Sequence, residues 1–299
     1  MYFFQTRQEL IGLVICIGCA AVLGLYPSAA RGAYQAGANI TFIVLTTTFC
    51  RFLVLYTAAL VKKQRPFRQF AEFRVNLYTG VLQAIIVIGI LAGSYFMPGA
   101  VVIIIIYSYP MMLLLFSAWR GEMVLNAVNI ASTLTGFIGL GLVVNIAQYE
   151  TVYPVAGIAL VFTAALAAFL RTYLFGQQSH SRHPLVIGAE TFAIAFFLLL
   201  LMIPWQAPAL PHTAFGLAMS AIAAVSLTLG TVGMFYGIAC LGSYKFGMFM
   251  KLEPVFTMLF GIVLVNDHLA VMQYIGIAVV ILSLVSLQLF DKQTAKTAS

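Results

Sequence analysis

The chain has 299 residues, of which 63% are hydrophobic and 8% charged, with a formal net charge of +7. A soluble domain carries roughly 25% charged residues, so this composition excludes an ordinary water-soluble fold and points to a bilayer. In a soluble protein the positive charge would suggest nucleic acid as a partner. In a membrane chain it is first read as a topology signal.

The stretch 1–9 is short and polar, and the apolar run after it has no small-residue cleavage site, so it reads as a retained first helix. A spanning helix needs about 20 mostly apolar residues. On that measure the sequence predicts ten spans: 10–31, 39–61, 75–97, 100–119, 124–146, 153–175, 184–204, 212–240, 245–265 and 270–290. The runs are too long, and alternate too little, to be barrel strands. The longest polar connection, 64–74, leaves no room for a soluble domain, and 291–299 reads as a disordered cytoplasmic tail.

An even number of spans puts both termini on one side. That side then holds twelve of the fifteen Lys and Arg residues, including Lys62, Lys63, Arg65, Arg68, Arg120, Arg171, Arg182 and Lys245. The other side holds Arg31, while Arg51 and Lys251 fall within spans. The bias makes the first side cytoplasmic and places the chain in the cytoplasmic (inner) membrane. It also accounts for the net charge without a nucleic-acid partner.

The two halves resemble each other at an offset of 144 residues, which carries Tyr109-Pro110 onto Glu253-Pro254 and Gly93 onto Gly237. That offset covers five spans, an odd number, so the second copy enters the membrane in the opposite sense. The expected fold is therefore all-α, with ten transmembrane helices in two inverted five-helix repeats, 1–148 and 149–290. Inverted repeats suit a transporter that exposes one midplane site to each side in turn.

The last third carries Phe235-Tyr236-Gly237-Ile238-Ala239-Cys240-Leu241-Gly242, then Leu252-Glu253-Pro254-Val255-Phe256, Asn266-Asp267-His268-Leu269 and Gln273-Tyr274-Ile275-Gly276. Weaker counterparts in the first half are Arg51-Phe52, Tyr109-Pro110 and Gly121-Glu122. These residues resemble the drug/metabolite transporter superfamily, specifically its EamA-type exporters. The chain departs from that pattern at Leu23-Gly24, Thr163 and Lys251. The resemblance implies ten helices, a central cavity built from both halves, and export of amino acids or related metabolites.

Ionisable groups inside a bilayer cost about 2.5–3.5 kcal/mol on insertion scales, so each calls for a reason. Arg51 is read as a fixed charge for a substrate carboxylate or as a structural clamp on backbone carbonyls. Lys251 is read as a substrate-binding residue or as snorkelling to the surface. Glu253 points about 200° away from Lys251 on the same helix. With Pro254, Glu253 reads as a hinge and packing element, with proton carriage second. Glu190 is expected to sit in a structural ion pair with Arg171 or Lys251, or to meet water. Tyr26, Gln83, Tyr107, Tyr109 and Tyr236 are candidates to line the cavity, since tyrosine offers a ring and a hydroxyl to an amphipathic ligand. Pro27, Pro110 and Pro254 are candidate hinges.

Cys16, Cys19, Cys50 and Cys240 lie inside apolar runs and read as small packing residues. Gly12 and Gly18 in the first span, and Gly136, Gly139 and Gly141 in the fifth, suggest close helix approach. No metal motif, P-loop or nucleophile elbow is present, so no cofactor, metal or direct ATP coupling is expected. The partners implied are a small-molecule substrate, lipid and protons, with the oligomeric state left open. The leading reading is a secondary exporter working by alternating access. Nutrient uptake on the same fold, an intramembrane enzyme, and a non-transporting scaffold or receptor are the alternatives.

Overall fold

The computed structural model describes residues 7–68, 70–122, 126–145, 153–265 and 270–297. Among them the ordered elements are helical: α1 (Arg7–Gly24), α2 (Tyr26–Gln35), α3 (Ile40–Val61), α4 (Phe70–Phe96), α5 (Gly99–Ile106), α6 (Tyr109–Trp119) and α7 (Ala127–Val143), then α8 (Val155–Gln178), α9 (Pro184–Leu199), α10 (Ala214–Leu241), α11 (Ser243–Phe249), α12 (Leu252–Val265) and α13 (Val271–Thr297). Short polar side chains start several of them. Asn39 accepts from the Phe42 amide, Asn126 from the Asn129 amide and Thr213 from the Gly216 amide. Gly242 ends α10 at a φ of 78°, a left-handed conformation that glycine takes without penalty, and the chain re-enters a helix at once as α11.

Among the described residues, seven stretches are long and apolar enough to cross a membrane: Glu9–Gln35, Ile40–Val61, Arg74–Phe96, Val101–Trp119, Val155–Gln178, Pro184–Met202 and Ala214–Leu241. Ala127–Val143 and Val271–Leu287 are shorter apolar helices. The expected span 245–265 is divided between α11 and α12, and neither piece alone reaches across. Helix α13 continues to Thr297, through most of the segment expected to be a disordered tail. Outward-facing Val14, Ile138, Phe197 and Leu282 are each more than three-fifths exposed, which water would penalise and lipid does not. The chain is a multi-pass helical membrane protein.

Three helices break, and each break lies just ahead of a proline. Pro27, Pro110 and Pro254 have no N–H to give the carbonyl four residues earlier. Accordingly α1 gives way to α2 at Leu25, α5 to α6 at Tyr107-Ser108, and α11 to α12 at Met250-Lys251. The 144-residue offset carries Tyr107 onto Lys251, so the second and third breaks fall at matching positions.

Helix pairing positions the site. The main contacts are α1 with α10 and α12, α3 with α9 and α10, α4 with α8 and α9, α5 and α6 with α8, and α7 with α13. The α7–α13 seam is the closest. A Cβ on Gly139 would stand 2.9 Å from the Val280 backbone nitrogen, and one on Gly276 would stand 2.5 Å from the Val143 nitrogen. Gly12 likewise lies against Cys240, but Gly18 faces open space. Close approach thus accounts for Gly12 and Gly139 and not for Gly18.

Candidate functional site

The break between α5 and α6 meets the break between α11 and α12 inside the bundle. Tyr107, 9% exposed, donates its hydroxyl hydrogen to a Glu253 carboxylate oxygen at 2.8 Å. Among the described residues this is the carboxylate's one hydrogen bond, and no cation lies within ion-pair distance. The Tyr109 ring lies 6.3 Å from that of Tyr107 and rests against Gly247 of α11. Pro110 and Pro254 are buried directly behind these groups, whereas Pro27 is exposed.

Two arginines sit inside the bundle, in helices that both pack on α10. Arg51 of α3 is 8% exposed. Its Nε donates to the Thr47 carbonyl at 3.1 Å, a second nitrogen donates to the Thr48 hydroxyl at 3.4 Å, and the guanidinium carbon stands 4.6 Å from the Phe192 ring centre. Arg171 of α8 donates to the Gln83 side-chain oxygen, lies 3.9 Å from the Met234 sulfur and 5.7 Å from the Phe175 ring centre. Its Nε is buried without a hydrogen-bond partner. Neither arginine has a carboxylate within 4 Å among the described residues. Tyr26, half-buried at the start of α2, is close enough to feel the charge of Arg51, and Tyr109 that of Arg171.

Lys251 is 1% exposed and does not face Glu253. Its ammonium donates to the Thr133 carbonyl of α7 at 3.0 Å, beside Gly136 and Ser283. The lysine therefore lies in the α7–α13 seam, as its angular separation from Glu253 along the helix requires.

Glu190 has a different partner from those expected. Its carboxylate, 1% exposed, receives Arg182 at 3.0 and 3.2 Å, the Phe67 backbone amide at 2.7 Å, and the Asn76 side chain. Neither Arg171 nor Lys251 reaches it. Arg182 wins because the α8–α9 turn folds it back over the first turns of α9, eight residues from Glu190. The result ties the polar connection between α3 and α4 to the start of α9.

At this end of the bundle Lys63, Arg65, Arg68, Arg182 and His183 line a pocket of about 660 Å³. The His183 ring stands edge-on to Tyr236, 6.4 Å between centres, so Tyr236 faces this mouth. Burial, and then the charge of Lys62, lower the His183 pKa below the usual imidazole value. Cys19 donates to the Gly230 carbonyl at 2.9 Å, binding α1 to α10, and Cys16 packs on Gly237. Thr163 is exposed on the outer face of α8. The expected motif Asn266–Leu269 lies outside the described residues.

Residues 155–288 match the EamA-like transporter family. That stretch is similar to an EamA-like transporter domain. This EamA-like region contains Arg171, Tyr236, Lys251 and Glu253. A solved crystal structure of another protein superposes with a TM-score of 0.77 at 19% identity, covering 95% of this chain and 98% of the other. At that identity the likeness establishes the shared fold across both halves of the chain. No curated protein matches it in sequence.

The residue most conspicuously missed from sequence is Arg171, assigned to the cytoplasmic side though it lies seven residues inside α8. A signal was available, since the predicted span 153–175 already enclosed it. Asn76, which joins Glu190, gave no such signal, because one asparagine at a helix start is ordinarily a surface residue.

Proposed function

We propose that this protein is a secondary transporter that moves a small metabolite by alternating access. Its two halves, 1–148 and 149–290, act as inverted five-helix repeats with ten crossings. The observation that carries the reading is the Tyr107–Glu253 hydrogen bond. It joins two helix breaks at matching positions of the halves, where broken backbone is tolerated if it lines a path or repacks.

The pairing of helices supports the same reading. Advancing every helix by five crossings turns α4–α8 into α10–α1, turns α4–α9 into α10–α3, and leaves α3–α9 and α7–α13 as themselves. A contact pattern unchanged by that exchange is what two interconvertible halves need. The basic mouth is assigned to the cytoplasm by its lysines and arginines, and the transport direction to export. Substrate would contact Tyr107, Tyr109, Gln83 and Arg171, with Tyr26 and Tyr236 toward the two openings and Lys251 held in the seam behind.

Counterflow in liposomes tests this. Purified protein loaded with an amino acid or organic acid should exchange it for labelled external compound. Folded, reconstituted protein that exchanges nothing across a broad metabolite panel would refute the proposal.

A further inference from the structure

We propose that Arg51 and Arg171 together take the anionic group of the cargo, so that the protein carries a small organic anion rather than a neutral or cationic compound. The inference rests on the transporter reading and names its substrate class. Three observations lead to it.

First, among the described residues the buried charges do not balance. Glu190 is taken by Arg182, and Glu253 is bonded to a neutral hydroxyl. Arg51 and Arg171 are left with carbonyl, hydroxyl, amide and aromatic partners, which orient a guanidinium without neutralising it. Second, Arg51 lies near enough to Arg171 to feel its charge, and two like charges in a low dielectric are stabilised when an anion lies between them. The buried Nε of Arg171 is a donor still without an acceptor. Third, an opening of the matching sign lies at one end of the bundle, where Lys63, Arg65, Arg68, Arg182 and His183 line a pocket. A mouth of one sign concentrates ions of the other.

The test uses succinate and benzoate as anionic probes, with glutamine and glucose as zwitterionic and neutral controls at matched ionic strength. Thermal unfolding of the purified protein should shift upward with an anion and not with the controls. Arg51→Gln and Arg171→Gln should each weaken the apparent affinity roughly tenfold or more. Arg51→Lys and Arg171→Lys, which keep the charge, should recover part of it and guard against variants that simply misfold. The proposal falls if neither anion shifts the wild type, if the controls shift it equally, or if both Gln variants respond like wild type. It also falls if phosphatidylglycerol vesicles, and not the soluble anions, give the arginine-dependent shift. Counterflow separates the two levels. Anion binding with no flux of any compound removes the transporter reading and leaves the site. Glutamine flux indifferent to both Gln variants leaves the transporter and removes the anion site.

Discussion

The hydroxyl of Tyr107 and the carboxylate of Glu253 meet at 2.8 Å across a separation of 146 residues, each beside the break of its own helix. Moving one half against the other has to disturb this contact. Tyr107→Phe and Glu253→Gln are both nearly isosteric, so each should leave the fold intact and change the exchange rate measured in liposomes. Because the two groups bond to each other, the double variant should be about as impaired as the worse single one, which a double-mutant cycle reads directly. Fully additive losses would mean the pair does not act as a unit.

Glu190 should matter for stability more than for flux. Removing one member of a buried ion pair costs about 3–5 kcal/mol, because the other is left uncompensated. Glu190→Ala should therefore lower the melting temperature of purified protein sharply. Arg182→Ala should do so too, and the double variant should recover part of the loss. A melting temperature unchanged in Glu190→Ala would show that the pair contributes nothing.

Glycine positions separate close packing from open surface. Gly139→Ala places a methyl group against the Val280 backbone, which cannot turn aside, and overpacking of this kind costs about 1–3 kcal/mol. Gly18→Ala meets nothing within 4 Å and gains helix propensity, so its stability should be equal or slightly higher. Thermal unfolding of the two variants side by side checks the contrast.

Sidedness is open to chemical labelling. Ser181 and Pro208 are exposed in turns at opposite ends of the bundle. In a variant lacking Cys16, Cys19, Cys50 and Cys240, Ser181→Cys should react with an impermeant maleimide from the cytoplasmic side and Pro208→Cys from the other. Labelling of both from one side would contradict the proposed topology.

Much of the architecture was legible because hydrocarbon imposes a length. Apolar runs of about 20 residues read as helices, and the prolines announced where they break. The site was harder to read. Composition identified Arg51, Glu253 and Lys251 as buried charges, but partner choice depends on how turns fold, which no periodicity encodes. Thus Glu190 took Arg182 from the adjoining turn. Lys251, though two residues from Glu253, faces another helix pair altogether. Arg171 was hidden by the very charge rule that oriented the chain: a basic residue near a span end counts toward the cytoplasm whether it reaches water or not.

Helices α7 and α13 touch where side chains are absent, at Gly136, Gly139 and Gly276, and such a seam has no slack for sliding. Lys251 is pinned there by the Thr133 carbonyl. Under the exchange of halves proposed above, these two helices are each other's counterparts. They are then the stationary spine of the molecule, and the parts free to travel are the helices around them.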